Sequence, residues 1–114
     1  MKNCRRSMRE TVNKKILSLI GLATRAGKTV SGEFSTEKAV KSFKAELVIV
    51  AADASDNTKK LFTDKCSFYE VPCYICGSKD EIGHAMGKEM RASMAVTDPG
   101  FAKALCKLLD ETQN

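Results

Sequence analysis

The sequence predicts an α/β protein: a single-domain, three-layer α/β/α sandwich around a four-stranded mixed sheet. Three observations carry that reading. Helical and strand patterns alternate along the chain with short connections, the arrangement in which helices cover both faces of one sheet. Leu47-Val48-Ile49-Val50-Ala51-Ala52 is an unbroken apolar run of strand length, as expected of a strand buried on both sides. A chain of 114 residues, 43% hydrophobic and 29% charged, suffices for one modest core and not for two.

Taken in order, Val12, Ile16, Leu19, Ile20 and Ala23 recur at helical spacing, and Gly27 beyond them is a natural stop. The start of this helix is open, since Ser7 with Glu10 resembles a capping box while Thr11 and Asn13 are equally good caps. Residues 1–11 are therefore read as a basic, flexible arm and 12–112 as the folded domain. Lys28 to Ser31 is a short strand candidate. Phe34 to Ser42 is a second helix that buries Ala39 and Val40, with Phe43 as a further inward candidate. After the apolar strand, Ser55 or Asp56 caps a third helix that turns Leu61, Phe62 and Cys66 inward and leaves Lys59, Lys60 and Lys65 to water. Val71 to Cys76 reads as the next strand. Ser78 with Glu81 makes a capping box for a short helix through Ile82 and Ala85, closed by Gly87 and weakened by Gly83. Ala92 to Val96 forms the last strand. Asp98-Pro99 supplies an N-cap and a first-turn proline to a final helix presenting Phe101, Leu105, Leu108 and Leu109.

Charge is distributed unevenly along this frame. The net charge is +5, but residues 1–44 carry eleven Lys/Arg against three acids, a net +8, and residues 45–114 carry eight against eleven, a net −3. A basic pole favours a polyanionic partner, because each neutralised phosphate releases condensed counterions. The competing reading is a solvated, solubilising face. No apolar run approaches the roughly 18 residues of a membrane span, and the basic start is not followed by a signal-peptide pattern. The expected setting is the cytoplasm, with no membrane partner and no small-molecule substrate.

Several motifs that suggest chemistry fail on inspection. Gly21 to Thr29 resembles a P-loop, yet five residues instead of four separate the first glycine from Gly27-Lys28-Thr29, and the stretch leaves a helix where the motif needs a strand. His84 has no evident Ser or Cys partner in sequence. Asp53, directly after the apolar strand, is either an active-site carboxylate or a turn and cap residue; with no second carboxylate at a recognisable spacing, the turn is favoured. The five cysteines are odd in number and fit no secreted framework, so reduced thiols are the default. Cys73 and Cys76 match C-x-x-C, but in a strand positions three apart face opposite sides, which disfavours a shared metal. No enzyme and no cofactor are expected.

Recognition remains. The stretch from Gly32 onward starts a helix behind a glycine, with free N–H groups and Lys38 one turn in, which suits a phosphate backbone. Connections at one end of the predicted sandwich are Gly32 to Ser35, Ala52 to Ser55 and Gly87 to Arg91. Lys38, Lys88 and Arg91 are placed there to meet phosphates.

At this point the residues resemble a known family. Ala26-Gly27-Lys28-Thr29-Val30-Ser31-Gly32 followed by Lys38-Ala39-Val40, then Leu47 to Ala54, Val71-Pro72, Ile82-Gly83-His84-Ala85-Met86-Gly87 and Ala95-Val96 are similar, in order and spacing, to the L-seven-Ae ribosomal proteins, from about Ile16 to Pro99. The likeness is strongest to small bacterial members. The resemblance implies an α/β/α sandwich that binds kink-turn RNA, an internal bulge flanked by tandem sheared G·A pairs, in ribosomal or regulatory RNA. In that family a Gly-x-Asn-Glu-x-x-Lys pattern reads the guanines, and the loop before the last strand covers an extruded base. Gly32 and Lys38 match the glycine and lysine. The polar pair is replaced by Phe34 and Ser35, an aromatic face and a short hydroxyl. Lys28, Lys88, Met90, Arg91 and Ala92 fall where the resemblance places the remaining contacts. The expected protein is a monomeric RNA binder, possible on the ribosome. Its rivals are a ribosome-associated protein–protein adaptor that has lost kink-turn reading and a thiol or zinc protein using Cys73 and Cys76.

Overall fold

The computed structural model describes residues 14–113; the expected arm, with Cys4 and Val12, lies outside the described residues. Helix α1 (Lys14–Arg25) buries Ile16, Ile20 and Ala23, the stripe that its periodicity marks. Strand β1 (Thr29–Ser31) leads through Gly32 into helix α2 (Glu33–Lys41), which buries Thr36, Ala39 and Val40. Strand β2 (Leu47–Val50) is buried at every position. Helix α3 (Asp56–Tyr69) follows, its start capped by Ser55, whose hydroxyl accepts from the Thr58 N–H at 3.1 Å. Strand β3 (Cys73–Ile75) and helix α4 (Lys79–Ala85) come next, the helix held by the complete Ser78–Glu81 capping box. Strand β4 (Ser93–Val96) is fully buried, and helix α5 (Pro99–Gln113) starts where Asp98 accepts from the Phe101 N–H at 3.0 Å.

The sheet runs in the order β1-β4-β2-β3. β4 is antiparallel to both neighbours, pairing Val30 with Ala95 and Val48 with Ala95, whereas β2 and β3 are parallel, pairing Ile49 with Tyr74. The sheet is therefore mixed, with β4 and β2 in the middle, and those two strands are apolar nearly throughout because helices cover both of their faces. Helices α1, α4 and α5 pack together on one side and α2 and α3 on the other. Phe62, Leu47, Ile49, Met94, Leu105 and Leu109 fill the space between the layers.

One inward expectation is overturned. Phe43 is 74% exposed. Helix α2 ends in a Schellman turn, in which the Phe43 N–H donates to Val40 O and the Lys44 N–H to Ala39 O. Phe43 occupies its left-handed position at φ 64°. That backbone turn carries the ring out of the stripe that Ala39 and Val40 continue. Glycine normally marks this stop, and none stands here.

Candidate nucleic-acid interface

Strands β1, β2 and β3 run one way and β4 the other, so the ends of the first three and the start of β4 meet at one edge of the sheet. The starts of α2, α3 and α4 are gathered there. Each presents N–H groups that no turn of its own helix can satisfy. Helices α3 and α4 satisfy part of theirs with side chains: Ser55 takes the Thr58 N–H, and Ser78 takes the Glu81 N–H while Glu81 reaches back to Ser78. Asp53 adds a further tie by accepting from the Lys79 N–H at 2.9 Å, which is the turn-and-cap role expected of it. Helix α2 does not. Its cap is Gly32, which has no side chain to offer, and the N–H groups of Glu33, Phe34 and Ser35 have no acceptor among the described residues.

Gly32 is fixed in this place from both sides. Its N–H donates to the carbonyl of Ser93 at 3.0 Å, and its carbonyl accepts from Thr36 N–H at 3.0 Å. Its dihedrals, φ 90° and ψ 154°, lie in a region open essentially to glycine alone. The chain thus turns sharply from β1 into α2 and leaves the donors of the first helical turn at the surface.

Arg91 stands beside that opening. Its Nε donates to Ser31 Oγ at 3.1 Å and its Nη1 to the Met90 carbonyl at 3.0 Å, while its backbone N–H donates to Lys79 O at 3.1 Å. The guanidinium is therefore anchored one residue before Gly32, with its remaining N–H groups unassigned. Phe34, at the second position of α2, is 78% exposed. Lys38, one turn later, lines a shallow groove with Phe34, Glu37, Lys41 and Ser42. Ser35 is exposed, and Ala92 is half-buried, its carbonyl accepting from the Ala51 N–H.

Two of the residues selected from the sequence also face a second groove, and a third lies at the far end of the sheet. Lys88 and Met90 line a groove of about 1020 Å³ between α1 and α4, with Leu17, Leu22, Arg25 and His84. Lys28 precedes β1, where its carbonyl accepts from Thr97 N–H at the end of β4. Four residues of extended chain, about 13 Å, separate it from Gly32, and it sits at the other end of the sheet. In the Ala52 to Ser55 connection the N–H groups of Ala52 and Ala54 are taken up by Gly77 O and Ala51 O.

Sequence reading missed two features behind this edge. Thr36 and Ser93 are completely buried, and neither hydroxyl has a hydrogen-bond partner among the described residues. The only sequence signal was a threonine within the inward stripe of α2. Gly83, a weak point for the helix by propensity, is a close contact in the fold: a Cβ there would lie 1.9 Å from the Glu89 carbonyl oxygen, because the loop before β4 crosses α4 at that point. Cys73 and Cys76 are buried and joined by no disulfide, and burial pushes the Cys76 thiol up to about 12.

The fold and this edge define an α/β/α sandwich protein with an uncapped helix start, an anchored arginine and an exposed aromatic at one end of its sheet. The chain belongs to the Ribosomal protein L7Ae/L30e/S12e/Gadd45 family, whose sequence profile matches residues 14–106. It is 49% identical over 92 residues to the RNA-binding protein YlxQ of Bacillus subtilis (strain 168), covering 81% of this chain and 92% of that protein. It is 46% identical over 103 residues to the RNA-binding protein YlxQ of Enterococcus faecium, covering 90% and 99%. A Bacillus halodurans protein of unknown function superposes with a TM-score of 0.83 at 41% identity, over 86% of this chain and 99% of that one. The Giardia lamblia 15.5kD RNA binding protein shares the fold, with a TM-score of 0.78 at 21% identity over 96% and 98%.

Proposed function

We propose that this protein binds structured RNA of the kink-turn type, as a monomer in the cytoplasm, on ribosomal or regulatory RNA. The observation that carries the reading is the open start of α2 beside Arg91: three unpaired N–H groups and a guanidinium tied to Ser31, within one helical turn of Lys38. A helix start attracts anions through its N–H groups and its dipole together. Arg91 and Lys38 add charge on either side, so a sharply bent phosphate backbone meets donors along its inner curve. The family membership and the names of the bacterial relatives support RNA as the partner.

Phe34 takes the place at which the family pattern carries a polar reader. A ring 78% exposed at the mouth of a phosphate-binding turn offers its face to an unstacked base. Such stacking contributes about 1–3 kcal/mol and tolerates sequence. Recognition then rests on the bend of the RNA, with the aromatic face rewarding whichever base the bend exposes.

The test is a titration at two salt concentrations against a kink-turn RNA and a control whose sheared G·A pairs are replaced by Watson–Crick pairs. The expected result is a preference of about tenfold or more for the kink-turn, because the control lacks the bend that brings its backbone to these donors. Equal, steeply salt-dependent binding to both would leave only generic backbone contact. Partners that persist after ribonuclease digestion, together with no binding to either RNA, would favour the protein–protein adaptor.

A further inference from the structure

Besides Phe34, two other phenylalanines are almost fully exposed, Phe43 at 74% and Phe68 at 77%. They come from the far ends of α2 and α3 and meet on Tyr69. The Phe43 and Tyr69 ring centroids lie 5.4 Å apart at 77°, and those of Phe68 and Tyr69 lie 4.9 Å apart at 79°. Edge-to-face contacts of this kind fix the orientation of rings. With three-quarters of each phenylalanine still open, ring surface remains free for a planar partner.

Two facts separate this cluster from an accidental apolar patch. First, Phe43 holds a left-handed backbone position that strains a residue with a side chain and that glycine would take without strain. Packing does not explain its presence, because the ring is outside the core. Second, the ground between Phe34 and Phe43 is basic. Lys38 and Lys41 are exposed along it, Lys44 is exposed just past Phe43, and the Glu37 carboxylate is shared at 3.9 Å between Lys41 and Lys65. Phe34, Lys38 and Lys41 recur at i, i+4 and i+7 and line one groove of about 270 Å³. The groove therefore leads from the open start of α2 toward the aromatic cluster at its end.

We infer that this surface is a docking track for single-stranded RNA continuing from the structured element bound at the start of α2. Rings with free faces along a lysine-bearing groove are the combination that holds unpaired nucleotides, with bases stacking and ammonium groups meeting phosphates. From Phe34 to Lys41 the helix rises about 10.5 Å, room for about three stacked steps of 3.4 Å. The inference rests on the proposed RNA-binding role for the site from which the track starts. It adds a second contact that depends on unpaired flanking nucleotides.

The experiment compares the full chain with a Phe43→Gly, Phe68→Ser variant. Both changes lie at exposed side chains, and glycine relieves the left-handed position, so the fold is retained. Each protein is titrated with a kink-turn RNA, with its Watson–Crick control, and with both RNAs bearing a short oligouridine tail at either strand end. The expected result is about a tenfold gain in affinity from one of the two tails, lost in the variant, while affinity for the untailed kink-turn is unchanged. No gain from either tail, or a gain that survives in the variant, overturns the track. A partner protein that resists ribonuclease and is lost in the variant, with no tail effect, also overturns it and assigns the cluster to protein docking. If kink-turn and control bind alike but the tail gain and its loss in the variant remain, the kink-turn reading fails and the track stands.

Discussion

Gly83 is the position at which a single atom has the largest consequence. A Cβ would stand 1.9 Å from the Glu89 carbonyl oxygen and 2.6 Å from its carbon, and both are backbone, so the loop itself must move. Gly83→Ala is expected to lower stability by about 1–3 kcal/mol or more, read as a lower midpoint in urea unfolding. It should also weaken RNA binding, because the displaced loop carries Arg91. An unchanged midpoint would mean that the loop does not lie against α4. Thr36 gives the opposite expectation. Its hydroxyl is buried without a partner, and such a group costs about 1–3 kcal/mol. Thr36→Val keeps shape and branching and removes the hydroxyl, so a rise in stability of about 1 kcal/mol is expected; a loss would reveal an acceptor or donor for that oxygen in solution.

At the scale of elements, the decisive comparison is among the three helix starts that share one edge of the sheet. Side chains take up part of the first turn in α3 and α4 and none of it in α2, so the proposed phosphate contact centres on α2 and Arg91. Replacing a phosphate contact lowers the salt slope by about one unit. Arg91→Gln is therefore expected to weaken binding and flatten the plot of log affinity against log salt by about that amount. Lys28→Gln, at the other end of β1, should leave both unchanged. If Lys28→Gln instead flattened the slope as much as Arg91→Gln, the RNA would have to wrap the far end of the sheet.

For the whole molecule, buried acids set a limit at high pH. Burial, aided by the negative charge of Glu81, holds the Cys76 thiol at about 12, against an ordinary value of 9.0. Burial, with the hydrogen bond that Tyr74 donates to Asp110, raises the Tyr74 phenol in the same direction from 10.0. Both groups bind their protons more tightly in the folded state, so their contribution to stability is intact below the unfolded values and is lost as pH rises through and above them. The midpoint of thermal unfolding should hold to about pH 8–9 and then fall. Cys76 should resist alkylation in the native protein at pH 8, since thiolate is scarce and access is closed. Rapid native labelling of Cys76 would contradict its burial.

Much of this was legible before any tertiary contact was known. The element order, the caps at Ser55, Ser78 with Glu81 and Asp98, and the apolar central strand depend on residues within a few positions of one another. Interactions of that range are written directly in spacing and residue type. What the tertiary structure decided was juxtaposition. Arg91 reaches Ser31 across 60 residues, Lys28 is carried to the other end of the sheet, Gly83 receives the crossing loop, and Phe43 turns outward. Each depends on strand register and on how layers stack, which follow from packing among distant segments and leave no local period to read. By itself, then, the sequence determined which helices and strands form and which family they build; only the packed sheet decided which helix start remains open and which side chains stand beside it.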